Sequence, residues 1–180
     1  GVRAGEENQG EASVAIGNVT GENNQGIQAV AIGSIAGKND QGSYSVAIGQ
    51  GAQEIGISAQ AAIAIGNDAG SNNQGTKAIA IGAAAGAEVQ SSHTIAIGDR
   101  AGSNSQGVAG VAIGFKTGEK GQNTHSVAIG TSAGYDIQNE YSIAIGGGAG
   151  KNSQGSDCIS LGRNAGEFSQ QLKSIAIGRS

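Results

Sequence analysis

The 180-residue chain contains no proline, no methionine and no tryptophan, and a single cysteine, Cys158. Three tyrosines and two phenylalanines are its only aromatic residues. Each shortage excludes something. One cysteine rules out a disulfide scaffold. Without proline, collagen is excluded despite 34 glycines, since collagen also needs glycine at every third position. Five aromatics leave little large apolar surface for an ordinary globular core. No apolar run approaches the roughly 20 residues of a membrane helix, so no membrane partner is expected. No targeting segment stands out and no initiator Met opens the chain, which reads as a piece of something longer. Charge is sparse, with 13% charged residues and a net charge of -4. That argues against a disordered chain, and ten scattered Lys and Arg lack the basic stripe that nucleic acid requires.

What the chain has is a repeat. A glycine following Ala-Ile, or once Ser-Leu, recurs at 17, 33, 49, 66, 82, 98, 114, 130, 146, 162 and 178. Every step is 16 residues except the 17 from Gly49 to Gly66. Eleven units therefore fill residues 1–177, beginning at 1 and at each of those glycines up to 162. Residues 178–180 start a truncated further unit. The unit reads G-x-x-A-G-x-x-x-Q-G-x-x-S-V-A-I. Its fourteenth position is always Val or Ile, its thirteenth always small, and its ninth is Gln in ten of eleven units. The fourth unit departs: it lacks the fifth-position glycine, which is Gln53, lacks Gln in register, and carries the extra residue. A local bulge is expected there.

The segment Ser-Val-Ala-Ile is short, β-branched and bounded by glycine, which marks a strand and not a helix. A second, weaker strand is expected near positions ten to twelve. Each unit then forms one rung of an all-β parallel β-roll or β-solenoid. Identical strands stack about 4.8 Å apart into a rod roughly 50 Å long. Side chains alternate along a strand, and neither face carries a charge in any repeat. Strands apolar on both faces are usually covered on both. A 16-residue rung is thin, so a second copy of the chain is expected over one face.

The expected arrangement puts the sixteenth position inside each rung as a core column: Ile16, Ile32, Ile48, Ile65, Ile81, Ile97, Ile113, Ile129, Ile145, Leu161 and Ile177. It puts the fifteenth at the contact between chains: Ala15, Ala31, Ala47, Ala64, Ala80, Ala96, Ala112, Ala128, Ala144 and Ala176. The reverse stays open. The Gln column is expected either to form a ladder of stacked amides or to satisfy a corner carbonyl.

Chemistry-bearing residues are few. His93 and His125 share the twelfth position two rungs apart, about 10 Å by rung spacing, too far to share a zinc bound at about 2 Å. Cys158 fills a slot otherwise held by small residues. No metal or other cofactor is expected, and no catalytic residue stands out. No glycine cluster ends in the Gly-Lys-Ser/Thr of a phosphate loop. Asn18-Val19-Thr20 is one glycosylation sequon. A ligand site belongs where the repeat varies, and all five aromatics lie there. The candidate contacts are Tyr44, His93, His125 and Tyr141 in the twelfth column, with Phe115 at the second position and Tyr135 at the sixth.

Ser-Val-Ala-Ile-Gly, as at 45–49 and 126–130, resembles the head repeat of trimeric autotransporter adhesins, whose own period is somewhat shorter. The fuller unit is similar to the repeat of chlorovirus and related giant-virus surface glycoproteins. It appears as Ala-Ile-Gly-Asn-Asp-Ala-Gly-Ser-Asn-Asn-Gln-Gly at 64–75 and Ala-Ile-Gly-Asp-Arg-Ala-Gly-Ser-Asn-Ser-Gln-Gly at 96–107. The resemblance covers the whole chain. It implies a left-handed roll, a homotrimer, and a non-enzymatic attachment or fibre role on a virion or cell surface. The partner implied is a host-surface glycan or protein, with a rigid spacer as the lesser form of the same role. Two other classes stay open: an ice-binding β-solenoid, and a polysaccharide-active β-helical enzyme.

Overall fold

The computed structural model describes residues 1–55 and 59–180. Among the described residues there is no helix. The fold is the expected parallel β-solenoid. Eleven three-residue strands, from Val14–Ile16 to Ile175–Ile177, form one parallel sheet in chain order. Equivalent residues pair throughout: Val14 with Val30, Ala15 with Ala31, Ile16 with Ile32. The 17-residue unit keeps that register, with Val46 opposite Ile63 and Ile48 opposite Ile65. The bulge expected in that unit falls partly on residues 56–58, which lie outside the described residues.

The second wall lies earlier in the unit than expected. Its strands are Val89–Gln90, Ser105–Gln106, Asn152–Gln154 and Phe168–Gln170, at positions seven to nine. Isolated parallel bridges extend the same line, as at Glu7 to Asn23 and Gln122 to Gln138. Position twelve stands in no strand, and its backbone is left-handed in every rung, with φ from 54° to 62°.

The sheet's faces are the reverse of the expected arrangement. Ala31, Ala47, Ala64, Ala80, Ala96, Ala112, Ala128 and Ala144 are fully buried inside their own chain. The fifteenth column is therefore core and not a contact between copies. The sixteenth column points outward: Ile16, Ile65, Ile97, Leu161 and Ile177 are exposed, and the others are half-buried by their rung neighbours. The fourteenth column lies on the same outer side. The cause is volume. A coil of 16 residues encloses room for small side chains and one amide: after glutamine the largest fully buried side chains are Thr20, Thr94, Thr117 and Cys158, and among the described residues no Val, Ile or Leu is fully buried. In the coil from Val127 to Ser142, the fully buried side chains are Ala128, Ala133, Gln138 and Ser142.

The Gln column forms the ladder in stretches, broken between Gln74 and Gln90 and between Gln138 and Gln154, where the receiving Oε1 has no partner among the described residues, and it meets backbone carbonyls as well. Gln106 Nε2 donates to Ile95 O at 2.9 Å, across its own coil, and to Gly110 O at 3.0 Å. It also donates to Gln122 Oε1 in the next rung at 3.0 Å. The same amide-to-amide step joins Gln25 to Gln41 and Gln154 to Gln170, each at 3.1 Å. Glycine at position five makes room for this side chain: a Cβ on Gly37 would lie 2.7 Å from Gln41 Oε1. The fourth unit inverts the pair. Its fully buried glutamine is Gln53, which enters from the fifth position and finds no hydrogen-bond partner among the described residues. At position one, a Cβ on Gly33 would lie 2.6 Å from Gly49 O, which fixes how closely rungs approach.

Two outcomes follow from this interior. Gln106→Leu removes the hydrogen bonds to Ile95 O, Gly110 O and Gln122 Oε1 and the one accepted from Gln90 Nε2, a loss of about 2–4 kcal/mol in urea unfolding. Ala112→Glu buries a charge where only a methyl fits, and circular dichroism should show a chain that no longer folds at that rung.

Candidate functional site

The rod presents two surfaces with the character of a site. One is the outward Val and Ile stripe. It spans two columns and eleven rungs, and no charged residue occurs in any of the positions. The other is the corner formed by the eleventh and twelfth positions, which carries most of the sequence-predicted contact residues.

The corner is built by the backbone. Position twelve adopts φ near +57° whatever the side chain: Tyr44 at 62°, His93 at 62°, Ala109 at 54°, His125 at 56°, Tyr141 at 57°. This region is costly for residues with a Cβ. It is held here because each amide donates to the eleventh-position carbonyl one rung earlier. His93 N reaches Thr76 O at 3.1 Å, His125 N reaches Val108 O at 2.9 Å, and Tyr141 N reaches Thr124 O at 3.2 Å. At position thirteen a serine closes the turn, as Ser126 Oγ donates to Asn123 O at 2.6 Å. Identical backbones one rung apart send their side chains out in parallel.

The predicted residues are partly brought together. His125 and Tyr141 stack, with ring centroids 5.2 Å apart and planes 6° from parallel. His93 stands in the same column, separated from His125 by Ala109. Tyr44 is exposed and remote, between Gln28 and Ala61 in the column. Phe115 and Tyr135 lie in other columns, and each faces a lysine that the sequence did not single out. Lys116 Nζ lies 5.3 Å from the Phe115 ring centre and Lys120 Nζ 5.1 Å from that of Tyr135. Lys120 also approaches Asp136 at 3.9 Å. Four of the six candidates therefore fall on the two units from Gly114 to Ile145.

Cys158 is buried, and its thiol donates to Gln171 O at 2.7 Å. Among the described residues, no three of His, Cys, Asp and Glu are grouped to hold a metal ion. In the sequon, Thr20 is buried and its hydroxyl donates to Gly33 O.

The apolar stripe is the feature that sequence reasoning placed inside. Its signal was present: three columns at positions four, thirteen and fifteen are small, and only an interior limits size so uniformly. Compared with known protein families, curated proteins and solved structures, the chain matches none.

The stacked pair is exposed, so its energy is modest. A double-mutant cycle with His125→Ala and Tyr141→Ala should give a coupling of about 0.5–1.5 kcal/mol. A coupling near zero would mean the two rings are merely adjacent.

Proposed function

We propose that this chain is a rigid, non-enzymatic rod module of a surface fibre or adhesin, assembled from copies of itself along the Val and Ile stripe. The observation that carries the reading is the stripe: an unbroken, uncharged aliphatic face, β-branched except at Leu161, running the length of the sheet. Large exposed apolar faces rimmed by polar residues mark interaction sites.

The stripe also favours one kind of partner. Its ridges repeat about every 4.8 Å for roughly 50 Å. Side chains interdigitate over that length only with a surface of the same period, and another copy of this chain has it. Three residues span about 10 Å, so the flat footprint is roughly 500 Å² per copy. A stable interface uses about 800 Å² per partner. The columns that follow the strand therefore add to the contact, as they do when more than two copies surround one axis, while the eleventh- and twelfth-position corner stays outside it. The threefold order and left-handed winding implied by the repeat's resemblance to viral and bacterial surface proteins belong to this proposal, as does location on a virion or cell surface. The variable corners then face outward, available to a host glycan or protein, or the rod serves as a spacer.

Light scattering after size exclusion tests the reading. The native chain should run at a multiple of its 17.5 kDa, near three. Ile113→Lys, on the stripe, should yield a monomer with native circular dichroism. A native chain that is monomeric at micromolar concentration would sink the proposal.

A further inference from the structure

We infer that the twelfth-position corner carries a slot for one planar aromatic ring, over Ala109 and between the imidazoles of His93 and His125. The inference stands on the corner's geometry and does not depend on how the rods assemble.

His93, Ala109, His125 and Tyr141 occupy consecutive rungs of one column with the same left-handed backbone, φ 62°, 54°, 56° and 57°. The rung-to-rung amide bonds at 93, 109, 125 and 141 span 2.9–3.2 Å. Their Cα–Cβ bonds leave the corner in parallel, and the 125–141 pair shows the result: two nearly parallel rings 5.2 Å apart. One rung is therefore one stacking interval. His93 and His125 are two rungs apart, about 10 Å, and Ala109 places only a methyl between them. Aromatic rings pack with centroids 4.5–7 Å apart. A single ring entering over Ala109 lies one interval from each imidazole and completes a run of four.

The surroundings suit such a ring. Val108, immediately before Ala109, is 44% exposed and forms an apolar lip. The segments 90–94, 106–110 and 122–126 contain no Lys, Arg, Asp or Glu. The other alanine of this column with large neighbours, Ala61, lies between Tyr44 and Lys77 and lacks a second flat wall. Imidazole walls favour an electron-rich ring, above all an indole, which also attracts a cation over its face. The ligand class is therefore an indole or phenol ring, either on a free small molecule or on an aromatic side chain of a polypeptide.

The chain has two histidines, so two imidazole signals report on both walls in proton NMR. N-acetyltryptophanamide should move both signals upfield and saturably. The peptide Gly-Gly-Trp-Gly-Gly should do the same: equal affinity assigns the site to the ring alone, and tighter binding of the peptide assigns it to polypeptide. His93→Ala should weaken binding about fivefold, one ring contact's worth. Ala109→Trp should shift both imidazole signals without ligand and abolish further response. The column already holds Tyr44 and Tyr141 in this backbone state, so the variant should keep the native circular dichroism and solution mass. Absence of shifts at millimolar probe, shifts of one histidine only, or unchanged binding in Ala109→Trp or His93→Ala would overturn the inference.

Discussion

The width of the coil governs this molecule. Sixteen residues closed into a rung leave an interior that takes small side chains and one amide per turn, and the amide is its largest occupant. A buried polar group without a partner is costly. Here each ninth-position glutamine from Gln25 onward reaches across to the carbonyl of the strand opposite, as Gln138 Nε2 does to Val127 O at 2.8 Å. The glutamine thus does two tasks that a larger protein divides between aliphatic packing and side-chain hydrogen bonding. It fills the space between walls too close for leucine, and it ties those walls together. Glycine at position five and alanine at positions four and fifteen follow from its presence, because each borders the volume it occupies.

The fourth unit is an internal test of that account. It lacks the ninth-position glutamine, and it is also the one unit whose fifth residue is not glycine. Gln53 fills the core from that position instead, fully buried. One glutamine per rung is therefore retained while its point of entry changes. Gln53 has no hydrogen-bond partner among the described residues, so what this unit retains is the filled volume and not the tie between the walls. Sheet register continues through this unit, with Ala47 opposite Ala64.

Much of the fold was legible in the sequence, and the errors are instructive. The period, the strand, which the structure confines to positions fourteen to sixteen, the parallel stacking and the stretches of amide ladder all follow from columns that hardly vary. Which face of the strand lies inside did not follow from hydrophobicity. The rule that larger apolar residues go inside assumes an interior able to hold them. Alanine at 15 and isoleucine at 16 compete for the core, and the volume of a short coil decides for alanine. The second strand was misplaced for a related reason. Positions seven and eight carry turn-forming residues such as Asn23 and Asn39. Position eight is left-handed in several rungs, as at Asn24 and Asn73, and pairing of position seven or of the glutamine from rung to rung is what makes this line a wall, which is a tertiary effect. At the corner, the exposed aromatics could be named one by one. The stacking of His125 on Tyr141, and the roles of Lys116 and Lys120 beside other rings, required the rungs to be aligned in space.

The same constraint bears on function. A solenoid with a wide interior buries its large apolar residues and can present a wholly polar exterior. A coil as narrow as this one cannot, because its interior is filled by alanine, serine, threonine and the glutamine, and the column of valine and isoleucine with strong strand preference stands on the outer face. The unit therefore couples two properties: the alternation that puts alanine in the core puts valine and isoleucine in a continuous outer stripe. An isolated rod would leave that stripe in water along its length. Replacing those columns with threonine would keep β-branched strands and remove the apolar face, yet in none of the eleven units does a polar residue stand at position fourteen or sixteen. The uniformity of the outer face is thus not required by the interior. It is the property to expect of a surface that is itself covered, and it is why self-association is the reading favoured over a solitary solenoid.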